Sequence, residues 1–189
     1  MAENSLIRSI RPMVLSAVFA ALIAVGAFIQ FNLPFTPVPV TLQTLFVLLA
    51  GLFLPPGWAL ASIFLYLFAG LIGLPVFASG MRGFAAFQGP SAGFLLGFAV
   101  AAPIVSLISR IGQGEEKAWA EIIWDLAAVF IGTVIIYAAG YPWIVLNLGW
   151  EWRVGLARAV VPYLPGDILK IIASVLLAAS GRKIILGNA

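Results

Sequence analysis

Residues 12–81 read "PMVLSAVFAALIAVGAFIQFNLPFTPVPVTLQTLFVLLAGLFLPPGWALASIFLYLFAGLIGLPVFASGM" and contain no Asp, Glu, Lys or Arg. About 20 residues of helix cross the hydrocarbon layer of a bilayer, so this stretch alone holds about three crossings. Two further charge-free runs, 83–109 and 126–150, extend the same reading toward the C-terminus. Over all 189 residues, 63% are hydrophobic and 9% are charged, whereas a soluble domain carries about 25% charged residues. Mean hydropathy is +1.13. A water-soluble fold of this composition would have almost nothing to present to solvent, so the chain is read as an all-α integral membrane protein in one membrane-embedded domain, 1–189.

Pro and Gly divide the apolar runs. Six transmembrane helices are predicted, at about 14–30, 40–54, 57–74, 90–110, 121–141 and 162–180. The intervening loops hold Pro34, Pro37, Pro39, Pro55, Pro56, Pro75 and Pro142, where a missing backbone N–H does least harm. The second helix is short for a full crossing and is expected to begin as irregular backbone sheltered by protein. Arg8 and Arg11 ahead of an apolar run imitate a secretory signal, but the hydrophobic pattern continues into the next span, and that reading is rejected.

Six crossings put both termini on one side. That side holds Arg8, Arg11, Arg110, Lys117, Arg182 and Lys183, against Arg82, Arg153 and Arg158 on the other. The basic excess marks the cytoplasmic side, so N- and C-termini are expected there, and Asp167 and Lys170 lie near the outer surface.

The sequence has neither Cys nor His, which excludes thiolate chemistry, haem ligation by His and the usual zinc sites. No metal or cofactor is expected. A P-loop of the form G-x-x-x-x-G-K-[ST] is missing, so the chain cannot hydrolyse ATP by that device alone. The net charge of +3 reflects topology rather than affinity for nucleic acid. An enzyme would need a nucleophile with a base, and without His only Lys170 or a carboxylate remains for that role. No enzymatic activity is expected.

Candidate binding residues come from the polar groups placed in apolar sequence. Asp167 and Lys170 stand three apart on the last helix and share one face. Each intramembrane charge costs about 2.5–3.5 kcal/mol on insertion scales, so a pair is either a structural ion pair or a ligand site. As a ligand site it offers a strong acceptor beside a strong donor while staying neutral, which suits a cyclic urea or an amide better than a lone carboxylate. Thr41 and Gln43 at the mouth of the second helix, and Ser79, Arg82 and Gln88 in the third outer loop, converge on the same layer. Phe35, Phe77 and Tyr163 flank it. Trp143, Trp150 and Trp152 fit an ordinary interfacial aromatic belt. Ala17/Ala21 and Ala20/Ala24 on the first helix form a face of small residues where another helix, of this chain or a partner, can approach closely.

Four motifs in order, "PVPVTLQTLFVLLAG", "GLIGLPVFASG", "GPSAGFLLGF" and "PGDILK", resemble the BioY family, the biotin-specific S components of energy-coupling factor (ECF) transporters. The resemblance covers about 34–98 and 161–170. It implies a six-helix S-component fold in a prokaryotic cell membrane that captures biotin from outside. It also implies partners: a transmembrane coupling protein, which docks on the alanine face of the first helix, and a pair of cytoplasmic ATPases. Asp167 and Lys170 match the family's ligand-site Asp and Lys, and Gln43 is carried over with them. The third outer loop, "SGMRGFAAFQGPSAG", departs from the family's Gly-rich pattern at Met81 and Arg82. The ureido ring of biotin carries two N–H donors and a carbonyl, so Asp167 is expected to accept and Lys170 to donate. The valerate carboxylate then lies near the loops, with Arg82 or Arg158 as its partner. In the opposite pose the carboxylate reaches Lys170. A stand-alone carrier and an S component for another vitamin are the alternative functions.

Overall fold

The structure, a computed structural model, describes the backbone of residues 2–113 and 118–185 and the side chains of 10–113 and 119–182. Lys117, counted above among the cytoplasmic charges, lies outside the described residues, and so do the side chains of Arg8 and Lys183. Among the described residues the chain forms α1 Ala2–Phe28, a hairpin of β1 Gln30–Phe31 and β2 Val40–Thr41, then α2 Gln43–Phe53, α3 Pro56–Leu71, α4 Ala92–Ser109, α5 Ala118–Leu148, α6 Trp152–Ala159 and α7 Leu164–Ile185. Three 3-10 turns, Ala78–Gly80, Phe84–Phe87 and Val161–Tyr163, lie in the connections.

The six expected helices correspond to α1–α5 and α7. Long apolar stretches capable of crossing a bilayer occur in α1, α4 and α5, and a fourth, Trp152–Arg182, covers α6 and α7. Helix α2 has 11 residues and is about 16 Å long, half a bilayer core. It occupies the centre of the bundle and touches α1, α3, α4, α5 and α7. Val47, Ala50 and Leu54 are wholly enclosed there. Non-helical backbone at membrane depth is tolerated only where protein or a cavity surrounds it, and 40–42 meets that condition. At the other end Pro55 cannot donate an amide to continue α2, and Pro56 opens α3 at a position where a missing N–H is harmless. Gly51 lets α2 and α4 approach, since a Cβ there would come 2.7 Å from Val105. Phe64, Phe68, Leu107, Phe130, Val134 and Leu176 are exposed around the bundle, as lipid-facing side chains should be.

Two features differ from expectation. Helix α5 does not stop before Pro142 but runs on to Leu148. The backbone hydrogen bond lost at Pro142 is offset by side-chain bonds from the extension, Trp143 Nε1 to the Gly89 carbonyl at 3.0 Å and Asn147 Nδ2 to the Gln88 carbonyl at 2.9 Å. The loop after it contains a short helix, α6, whose Arg153 and Arg158 are exposed and whose Gly155 and Ala159 are buried. Arg158 lies over the Trp150 ring at 5.6 Å, a cation–π contact at the bundle rim.

The hairpin, the 3-10 turns, α6 and the start of α7 cap one end of the bundle. At the other end Arg182, counted above among the cytoplasmic charges, is mostly buried and paired with Asp125 at 2.9 Å. The same guanidinium nitrogen donates to Ser109 Oγ at 2.8 Å and to the Leu52 carbonyl at 3.1 Å. Ser109 Oγ also donates to Asp125 Oδ1 at 2.6 Å. One side chain thus ties α7 to α2, α4 and α5. Arg110 sits beside this cluster, and its pKa is pushed down by burial and then by the neighbouring Arg182 charge.

Candidate functional site

Asp167 lies in the first turn of α7, where the helix dipole favours a negative charge, and Lys170 follows one turn later. Both are buried, at 7% and 8% exposure. Lys170 Nζ donates to Asp167 Oδ1 at 2.9 Å and to Thr44 Oγ1 at 2.9 Å. Tyr137 O–H, from α5, donates to Asp167 Oδ2. Three helices therefore hold the pair. An ammonium has three N–H donors and a carboxylate about four acceptor positions. After these internal bonds, one donor on Lys170 and about two acceptor positions on Asp167 remain.

Asp167 and Lys170 line a cavity together with side chains of α2, α4 and α5 and of the hairpin, among them Thr41, Gln43, Ser91, Phe94, Phe98 and Tyr163. The volume open inside it to the centre of a water-sized sphere is about 70 Å³. The walls are mainly apolar, with the ion pair as the charged group. This is the arrangement that fixes the orientation of a ligand by a few polar contacts while burying its rings.

Of the residues singled out in the sequence, Asp167, Lys170, Thr41, Gln43 and Tyr163 line this cavity. Gln43 Nε2 donates to Tyr66 O–H, and its Oε1 accepts from Thr41 Oγ1 at 3.3 Å, so much of its amide is engaged within the protein. Tyr163 O–H bonds to the Val38 carbonyl and lies 3.1 Å from Thr36 Oγ1, pinning the hairpin loop to the start of α7. Phe35, Phe77 and Arg82 do not line it. Phe77 is enclosed at 1% exposure, edge-on to Tyr66 at 5.4 Å and Phe87 at 5.6 Å. Its ring rests on Gly70, where a Cβ would come 2.1 Å from it. Phe35 and Arg82 are exposed in the outer loops, and Arg158 is engaged with Trp150. The loop between α3 and α4, the lid, is joined to the hairpin: its Ala78 lines the cavity, and its Ser79 N–H donates to Gln30 Oε1 at 2.9 Å. Ser79 takes φ +59°, a left-handed conformation unusual for a residue with a Cβ. Along α1, Ala17 and Ala21 are exposed while Ala20 and Ala24 pack partly against the core.

The sequence matches the BioY family over residues 1–186. The chain belongs to this family. A biotin transporter BioY of Rhizobium etli is 34% identical over 95% of each chain, and one of Thermotoga maritima is 33% identical over 92% of this chain and 97% of its own. A crystal structure of the S-component for biotin from an ECF-type ABC transporter is similar with a TM-score of 0.83, at 25% identity and 93% coverage of both chains. The BioY-family fold thus extends over regions the four motifs do not reach, including α5, which supplies Tyr137.

Sequence reading missed Tyr137, Thr44 and Tyr66. Tyr137 carries a signal that could have found it: a phenol in mid-helix within a charge-free span requires a partner for its O–H. Thr44 stands next to Gln43 in the sequence, and only the packing of α2 against α7 brings its hydroxyl to Lys170.

Proposed function

We propose that the chain is the biotin-binding S component of an ECF-type uptake transporter, a multi-pass protein of the prokaryotic cell membrane. The observation that carries this reading is the bonding capacity left on the Asp167–Lys170 pair. A cyclic urea brings two N–H donors and one carbonyl acceptor. Two free acceptor positions on Asp167 and one free donor on Lys170 complement it. A neutral ring can enter without importing charge, which matters because an unpaired charge in this apolar cavity would be expensive.

In the mechanism, the ureido ring descends to the pair and the bicyclic system lies against Phe94 and Phe98. The valerate chain points to the mouth, where Thr41 and Ser91 lie and where the N-terminus of α4 favours an anion. Gln30 and Ser79 then hold the hairpin against the lid. With the termini in the cytoplasm, the cavity faces outward in this state. A transmembrane coupling protein and a pair of ATPases supply the energy for release inward. Ala17 and Ala21, exposed on α1, offer that coupling protein a close approach.

Calorimetric titration of the purified, detergent-solubilised protein with biotin tests this reading. Saturable one-to-one binding, with no heat from thiamine or riboflavin, is the expected result. Absence of biotin binding by folded protein overturns it.

A further inference from the structure

The two internal partners of the pair do more than satisfy buried atoms. Tyr137 O–H occupies a position on Asp167 Oδ2, and Thr44 Oγ1 takes up one Lys170 N–H. They come from α5 and α2, both of which pack against α7, so the pair is held from two neighbouring helices. Without them Asp167 would present about three acceptor positions and Lys170 two donors, a pattern no longer matched to a urea. We propose that Tyr137 and Thr44 are positioning and selectivity residues, which trim the Asp167–Lys170 pair to the two-acceptor, one-donor pattern of a cyclic urea and so reject cyclic guanidines. The inference rests on the biotin reading of the same cavity.

The chemistry of a guanidine analogue shows why. In 2-iminobiotin the carbonyl is replaced by an imino group that is protonated at neutral pH, as the Arg guanidinium is. The ring then carries only donors and a positive charge. It places an N–H against the remaining Lys170 donor and has nothing to accept from it, while Asp167 has its charge already shared between Lys170 and Tyr137. Removing the Tyr137 hydroxyl returns an acceptor position and unshared negative charge to Asp167. Biotin gains nothing from that change, because its two N–H groups already have partners, and it loses the alignment of the carboxylate. The cation gains.

The test measures affinities of wild type, Tyr137→Phe, Thr44→Val and Thr44→Ser for biotin and for 2-iminobiotin at pH 7, with thermal unfolding and gel filtration to verify folding. In Tyr137→Phe the biotin to iminobiotin affinity ratio is expected to fall about tenfold, the usual scale for one hydrogen bond to a charged group. Thr44→Val is expected to lose biotin affinity by a similar factor, and Thr44→Ser, which restores the hydroxyl, to recover most of it. Equal losses for both ligands in Tyr137→Phe would reduce Tyr137 to a structural role and overturn the proposal. If Tyr137→Phe does not fold, the Thr44 pair decides: failure of Ser to recover what Val loses overturns the proposal as well. Wild-type protein that binds no biotin would instead overturn the functional reading, so the two failures are distinguishable.

Discussion

Replacing Asp167 by Asn keeps the shape of the side chain and removes its charge. The change falls on a carboxylate of 7% exposure that receives Lys170 Nζ on one oxygen and Tyr137 O–H on the other. In the variant the amide can orient its oxygen toward Lys170, and Tyr137 can rotate to accept from its NH₂. The hydrogen bonds therefore survive in part, while the ammonium loses its counter-charge and keeps Thr44 Oγ1 at 2.9 Å. Breaking a buried pair costs about 3–5 kcal/mol of stability, and the surviving bonds place this case at the low end of that range. For the ligand, the two positions that accepted ring N–H groups are replaced by the poorer capacity of one amide oxygen. Each charge-assisted bond is worth about 1.5–3 kcal/mol against about 1 for a neutral one. Biotin affinity should therefore fall by about 1–3 kcal/mol, or roughly 5- to 150-fold. Calorimetry in detergent reads this directly, at a temperature well below the unfolding midpoint of the variant. Affinity within about twofold of wild type in folded protein would remove Asp167 from the site and refute the reasoning.

Asp125→Asn breaks the clasp at the opposite end of the bundle and leaves Arg182 buried without a counter-charge. Its thermal midpoint should drop by an amount corresponding to about 3–5 kcal/mol, with biotin affinity unchanged in the folded fraction. Gly70→Ala forces a methyl group into the Phe77 ring and should destabilise by about 1–3 kcal/mol, measured by the same unfolding assay. Gln30→Ala removes the acceptor that holds the Ser79 amide; stopped-flow displacement should show faster biotin dissociation.

The spans were legible because membrane solvation acts on every residue of a segment, and 12–81 contains nothing that violates it. The core of the site was legible for a local reason: Asp167 and Lys170 are three apart on one helix, and spacing alone brings them together. Their partners are not local. Tyr137 lies 30 residues from Asp167 and Thr44 lies 126 from Lys170, distances that only the packing of α2, α5 and α7 closes. The same holds for Arg182, which read as one more basic residue at a cytoplasmic end until Asp125, 57 residues away, was seen beside it. Pro142 misled because a helix breaker acts on the backbone locally, whereas Trp143 and Asn147 stabilise the extension of α5 through contacts with 88–89. Phe77 misled in the reverse direction: an aromatic among the outer loops suggests a contact at the ligand site, but the missing side chain at Gly70 opens a slot that encloses it.

A structure with biotin bound tests the central claim most directly. The account predicts the ureido carbonyl within hydrogen-bonding distance of Lys170 Nζ, the ring N–H groups on Asp167, and the valerate directed toward Ser91 and the lid. A carboxylate seated on Lys170 with the ring at the mouth, or biotin bound away from this pair, would contradict it.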